Sequence, residues 1–154
     1  MRRLHEKRYM SDVEPKLCFI DTNIWLYAFI QSQDQDKTII AKTIIESSEI
    51  VISSQVINEV CVNLIKKAQF DEVSVRNLIE SFYSKYHVGE IDKAILIEAS
   101  ELRSQYSFSY WDSLIVACAL AEGAIIVYSE DLHSGLVVDN RLQIVNPFTG
   151  QGAV

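Results

Sequence analysis

Residues 124–129, Ala-Ile-Ile-Val-Tyr-Ser, form an apolar run with no charged interruption, set between Gly123 and the acidic pair Glu130-Asp131. A run this uniform reads as a strand buried on both faces, which is characteristic of parallel sheets covered by helices. Residues 16–20 and 50–52 repeat the pattern, residues 86–88 carry a weaker version, and residues 142–145 add a last strand before Pro147. Helical patterns lie between them. Residues 24–29 suggest a short helix, and residues 34–47 an amphipathic one with Ile40, Ala41, Ile44 and Ile45 on one face. Ser53 or Ser54 caps a helix reaching about Lys67. Residues 71–83 and 92–105 are helical, as are residues 111–122, which Gly123 terminates. Strands that alternate with helices imply an α/β fold, its parallel sheet covered on both faces.

Four carboxylates stand at the edges of these apolar segments. Asp21 follows the first strand, Glu59 lies within the helix after residue 53, Asp112 opens the helix of residues 111–122, and Asp131 follows the strand of residues 124–129. In an open α/β sheet the ligand crevice lies beyond the carboxyl ends of the strands. If the strands before Asp21 and Asp131 are neighbours, both acids face that crevice. Converging carboxylates repel one another, and a hard cation is the usual means of neutralising them. Structural explanations stand beside this one. Asp21 can cap the following helix, and Asp112 lies three residues after Ser109 in a capping-box spacing. Glu59 can be a solvated border residue, and Glu130 and Asp131 can be turn residues before Gly135. The metal reading therefore rests on the joint arrangement of the acids.

Composition limits the alternatives. A chain of 154 residues that is 49% hydrophobic can bury a core without disulfides or a structural metal. Cys18, Cys61 and Cys118 are odd in number, widely spaced and set in apolar runs, so they read as reduced core residues of a cytosolic protein. No apolar run approaches the ~18 residues of a membrane-spanning helix. The first residues are charged without an apolar segment behind them, which argues against a secretory signal. We expect residues 1–15 to be a disordered leader, with Met10 an alternative start, residues 16–148 to be the domain, and residues 149–154 to be a loose tail. The net charge is −7, and the basic residues 1–9 carry +3 of it, so the remainder stands at −10. On charge alone such a body is a poor general polyanion binder.

Four segments carry a resemblance to a known family: Phe19-Ile20-Asp21-Thr22-Asn23-Ile24, Ile57-Asn58-Glu59-Val60, Trp111-Asp112-Ser113-Leu114-Ile115-Val116-Ala117, and Tyr128-Ser129-Glu130-Asp131-Leu132. Together they resemble PIN-domain nucleases, and within that family the VapC-type ribonuclease toxins of toxin–antitoxin pairs. The likeness extends from about Lys16 to Phe148. It implies a three-layer α/β/α fold with a parallel sheet of about five strands. It also implies an acidic cluster of Asp21, Glu59, Asp112 and Asp131 that binds Mg²⁺ or Mn²⁺ and hydrolyses RNA phosphodiester bonds. By the same likeness the fourth acid is Asp131, with Glu130 a neighbour, and Thr22 and Ser129 support the site by hydrogen bonding. A cognate antitoxin and a homodimer are the partners implied.

The residue types agree with that chemistry. Oxygen ligands at irregular spacing suit Mg²⁺ or Mn²⁺, whereas the scattered His5, His87 and His133 give no zinc pattern. Asp21 and Asp112 are the expected direct ligands, and Asp131 a ligand to a second or shared ion. Glu59 is expected to ligate through water or to act as the base. Lys66 and Lys67, on the helix that carries Glu59, are the first candidates for phosphate contacts. The other cations, Lys37 and Arg103 among them, read as solvated helix charges. Tyr106, Phe108, Tyr110 and Trp111 read as core or dimer interface rather than a base-stacking platform. A non-catalytic PIN-like module that binds RNA or protein is the alternative, as is a generic PIN nuclease in RNA processing. A haloacid-type phosphatase would need Asp-x-Asp after the first strand, where Asn23 stands. A receiver domain would need an early acidic pair and a lysine after a late strand, and neither is found.

Overall fold

The computed structural model of the chain describes residues 16–30 and 34–149. The leader of residues 1–15, the alternative start at Met10 and all but the first residue of the tail lie outside the described residues. The elements are β1 (Leu17–Ile20), α1 (Thr22–Phe29), α2 (Gln35–Ser47), β2 (Glu49–Ser53), α3 (Ser54–Ala68), α4 (Glu72–Lys85), β3 (His87–Gly89), α5 (Lys93–Gln105), α6 (Tyr110–Ala121), β4 (Ile126–Tyr128), β5 (Val137–Val138) and β6 (Leu142–Val145).

Helix starts follow directly from side-chain chemistry. Asp21, Asp34, Ser53, Asp71, Asp92 and Ser109 are the N-caps, and each side chain accepts a backbone N–H from the first turn. Ser53 is thus the cap of α3, and the helix expected from residue 71 begins one residue later because Asp71 is its cap. Gly123 follows α6 at φ +79°, a conformation that a side chain would disfavour.

The sheet has the order β3-β2-β1-β4-β6-β5. The first five strands in that order pair in parallel, and β5 pairs antiparallel with β6 at the edge. The five-strand parallel sheet expected from sequence is present. The sixth strand was not foreseen, because Val137–Val138 is too short to display a periodicity. Its turn is legible in hindsight. Asp139 and Asn140 adopt φ values of 50° and 56°, as a tight hairpin of two positive-φ residues requires.

Helices cover the sheet in a three-layer α/β/α arrangement. Phe19, Ile20, Ile52, Val127, Val138, Leu142 and Ile144 are fully enclosed apolar strand side chains. Cys18, Cys61 and Cys118 are all free and buried, and burial pushes the Cys118 thiol up to about 12, so it stays protonated at physiological pH. Gly89 closes β3 against α6, where a Cβ atom would stand 2.6 Å from Cys118 Sγ. Trp25 fills the space between α1 and α4, meeting Phe82 edge-on with centroids 5.1 Å apart. Among the described residues no helix is long and apolar enough to cross a membrane.

Chain order sets the crevice. From β1 the chain builds outward to β2 and β3 on one side, while β4 returns to the other flank of β1. The carboxyl ends of β1 and β4 therefore flank the point where the winding reverses, which is where open α/β sheets bind ligands.

Candidate metal-binding active site

Asp21 occupies that reversal point. It follows β1 directly and is only 6% exposed. Its Oδ1 accepts the Thr22 backbone N–H at 2.7 Å, and its Oδ2 accepts the Ser129 hydroxyl at 2.7 Å. Capping and site membership are thus the same placement, since the carboxylate that starts α1 also reaches the end of β4. Burial pushes the Asp21 carboxyl up to about 6; the Ser129 and Thr22 bonds oppose this, and the charges of Glu59 and Asp112 add to it. Because the folded state prefers the neutral acid, this group favours folding at low pH. That contribution is lost as pH rises from 3.8 through about 6.

Thr22 links the next acid. Its hydroxyl donates to Glu59 Oε2 at 2.6 Å, and Gln55 Nε2 donates to Glu59 Oε1 at 3.1 Å. Both Glu59 oxygens are therefore oriented rather than free in solvent. Gln55 Oε1 is buried without a hydrogen-bond partner, leaving one acceptor beside Glu59 that suits a donor such as bound water. Asp112 stands in the first turn of α6, where its backbone N–H donates to Ser109 Oγ at 3.2 Å. The helix start expected from the Ser-x-x-Asp spacing is present, and Asp112 faces Asp21 closely enough to raise its pKa.

Ser129 is the hub of the β4 end. Fully buried, it donates to Asp21 and accepts the Asp131 and Leu132 backbone N–H groups at 3.2 Å each. Asp131 is exposed, and its Oδ2 accepts from the Asn23 side-chain amide. Glu130 turns elsewhere, to Lys37 Nζ at 3.0 Å and the Tyr27 hydroxyl at 2.9 Å.

Several of these neighbours were not singled out by sequence. Gln55 and Arg103 have no motif of their own; the fold brings Gln55 to Glu59 and Arg103 to Ser113, beside Asp112. Asn23 stands in the quoted Asp21-Thr22-Asn23 segment, but its contact with Asp131 was not foreseen. Arg103 is no solvated charge, since its Nη1 donates to Ser113 Oγ at 2.6 Å and its guanidinium lies 4.4 Å from the Tyr110 ring centroid. Lys37 is likewise engaged, with Glu130. Tyr106 and Phe108 pack against the core, but Tyr110 and Trp111 are 51% and 63% exposed, so the core assignment fails for that pair. Lys66 and Lys67 are exposed in the last turn of α3, Lys66 about 10 Å of helix beyond Glu59.

Carboxylate and hydroxyl donors suit a hard divalent cation, and the Asp21 charge, disfavoured first by burial and then by the charges of Glu59 and Asp112, is the feature such an ion would relieve. As the side chains stand, however, no group of three His, Cys, Asp or Glu among the described residues is arranged to hold an ion. The donors fit such an ion in kind.

A family model described as PIN domain matches residues 18–134. The comparison with curated proteins returned no match. Among solved structures, a toxin–antitoxin complex from Klebsiella pneumoniae is similar at TM-score 0.64 and 21% identity, over 85% of this chain and 98% of that one. VapC20 of Mycobacterium tuberculosis, a sarcin–ricin loop cleaving toxin, is similar at TM-score 0.59 and 17% identity, over 74% and 89%. VapBC2 from Rickettsia felis, bound to a DNA fragment from its promoter, is similar at TM-score 0.58 and 20% identity, over 83% and 96%. At such identities the likeness concerns the fold.

Proposed function

The chain belongs to the PIN-domain family, and from that premise we propose that it is a Mg²⁺- or Mn²⁺-dependent endoribonuclease, the toxin of a type II toxin–antitoxin pair, acting in the cytoplasm. The observation that carries the reading is the buried Asp21 carboxylate at the β1–β4 reversal point, tied to Ser129 and standing beside Glu59 and Asp112. A structural cap alone would not need two further acids within its field.

Asp21 and Asp112 would hold the ion directly, with Asp131 and Glu59 completing the acidic set. When bound, Mg²⁺ or Mn²⁺ supplies Lewis-acid polarisation of the phosphodiester and lowers the pKa of water. The protein's own groups do the positioning. Ser129 and the Thr22 backbone N–H fix both oxygens of Asp21. Thr22 and Gln55 aim Glu59, which is then oriented to accept a proton from an attacking water. Asn23 holds Asp131 near the same crevice. Arg103, through Ser113, secures the first turn of α6 on which Asp112 rides. Lys66 and Lys67 extend the binding surface toward RNA phosphates.

Purified protein is expected to cleave single-stranded or structured RNA in Mg²⁺ or Mn²⁺ and to stop when a chelator is added. Cleavage that persists in chelator refutes the proposed chemistry, and absence of cleavage in either metal refutes the enzyme.

A partner is expected at the face where α3, α4 and α6 meet. A groove of about 810 Å³ there is lined by Val62, Ile65, Ile79, Tyr83, Leu96 and Trp111 among others. Val62, Ile65, Tyr83, Leu96 and Trp111 are all exposed there, and large apolar side chains exposed together are a feature of protein interfaces. We assign it to the homodimer or the antitoxin, and the −10 body favours a basic antitoxin segment across the acids. Light scattering at micromolar concentration should give a dimer, and co-expression with a neighbouring small open reading frame should give a stable complex. A monomer with no such partner reduces the reading to a generic PIN nuclease.

A further inference from the structure

Asp112, whose charge acts on Asp21, and Asp131, which Asn23 holds, have a further surrounding in common. They also line a second cavity, of about 540 Å³, whose other walls include Gln105, Tyr106, Phe108 and His133. Its volume falls within the ~300–1,000 Å³ usual for small-ligand pockets. The lining is unlike that of the apolar groove on α3 and α4. Two aromatic rings stand 5.6 Å apart and inclined at 41°, and they are joined by an imidazole, an amide and two carboxylates. Aromatic faces with hydrogen-bonding groups between them match the chemistry of a nucleobase, which offers a π-face for stacking and a polar edge for reading. An apolar peptide side chain would use the rings and leave the polar groups unpaired.

The two aromatic rings do not share one role. The Tyr106 hydroxyl accepts the Asp139 backbone N–H at 3.2 Å, which ties it to the β5–β6 turn. Phe108 sits in the connection between α5 and α6, two residues before α6 begins, and it has no polar atom to satisfy. His133 lies on the loop after β4, two residues beyond Asp131, and is exposed. Both are therefore placed by the backbone segments that also carry Asp112 and Asp131.

We propose that this cavity, with Phe108 and His133 as its reading residues, seats the base of a nucleotide adjoining the scissile phosphate and so selects the cleavage site. The proposal rests on the nuclease reading and deepens it. A phosphate engaged near Asp112 and Asp131 brings its attached nucleoside to the pocket mouth, and the stacked base then fixes which phosphodiester is aligned. Phe108 and His133 are positioning residues, since neither touches the reacting atoms.

The test is a cycle on one short RNA oligonucleotide that wild type cleaves at a mapped bond. The oligonucleotide is compared with versions that carry an abasic ribose on either side of that bond. Wild type should lose roughly tenfold to a hundredfold in kcat/KM on one of the two, the scale of one lost base stack. Phe108→Ala should cleave the intact oligonucleotide with a similar loss, yet lose almost nothing further on the abasic version. Phe108→Tyr should restore the difference. Cleavage-site mapping on total RNA should also show His133→Ala relaxed in sequence preference. If both abasic oligonucleotides are cleaved as fast as the intact one by wild type, the pocket does not hold a base and the proposal falls. If the abasic loss is the same in wild type and Phe108→Ala, Phe108 acts only on the fold and the proposal also falls. If wild type cleaves no RNA, the nuclease reading itself fails and takes the pocket with it.

Discussion

Asp21→Asn and Asp112→Asn will each fold and will each cleave RNA at least ~100-fold more slowly than wild type, the scale set by removal of a preorganised electrostatic element. Asparagine is nearly isosteric, so packing around β1 and α6 is kept while the charge leaves. At Asp21 the folded metal-free protein should gain stability from the change. The wild-type carboxylate is pushed up from 3.8 to about 6, so keeping it ionised at about pH 7.5 costs on the order of 2–3 kcal/mol, at 1.36 kcal/mol per unit. The variant avoids that cost but weakens the Ser129 hydrogen bond, worth about 1 kcal/mol. In chelator, Asp21→Asn should therefore be at least as stable as wild type at about pH 7.5, and the advantage should vanish near pH 4 where the wild-type acid is protonated. Asp131→Asn and Glu59→Gln should also be severe in activity. Glu130→Gln should cost little, because Glu130 is committed to Lys37 and Tyr27. Cleavage rates on cellular RNA, with denaturant melts of the same proteins, separate the two effects.

Trp25→Ala should destabilise the fold by ~3–5 kcal/mol, the range for truncating a large buried aromatic side chain. Trp25 is 1% exposed and packs against Phe29, Phe82 and Tyr86. Its Nε1 also donates to the Ile20 carbonyl at 3.0 Å. Ile20 is the last residue of β1, so the indole pins the strand end from which Asp21 projects. The truncation opens a cavity and frees that carbonyl together. Trp25→Phe should lose less, since it keeps most of the packing and gives up only the hydrogen bond. Denaturant unfolding of the two variants measures this; near-equal stability of Trp25→Ala and wild type would contradict the packing described.

The parallel sheet was legible because its strands are largely apolar: residues 124–129 and 17–20 carry no charge and no competing pattern. The strand at β4 is nevertheless shorter than its apolar run: Ala124 still bonds back to the Ala119 carbonyl of α6, while Ile125, just before β4, already bonds Leu17 and Gln143 in the flanking strands. The edge strand β5 was not legible, being two residues held by a turn and not by periodicity. Among the site residues, Asp21 and Asp131 could be placed from strand ends alone, and Ser129 from the family likeness. Gln55 and Arg103 could not. Each is an ordinary helical polar residue until α3 and α5 pack against their neighbours, and long-range packing leaves no local spacing to read. The aromatic segment between α5 and α6 splits for the same reason. Tyr106 and Phe108 turn inward toward the second cavity while Tyr110 and Trp111 turn out.

The claim that Asp21 and Asp112 form the heart of a divalent-metal site is tested most directly by calorimetric titration of the purified, chelator-stripped protein with Mn²⁺. Wild type should bind the ion and gain thermal stability from it, as a ligand selective for the folded state must confer. Asp21→Asn and Asp112→Asn, folded by circular dichroism, should bind it far more weakly or not at all. If all three proteins bind Mn²⁺ with equal affinity, the metal site is not where these carboxylates stand.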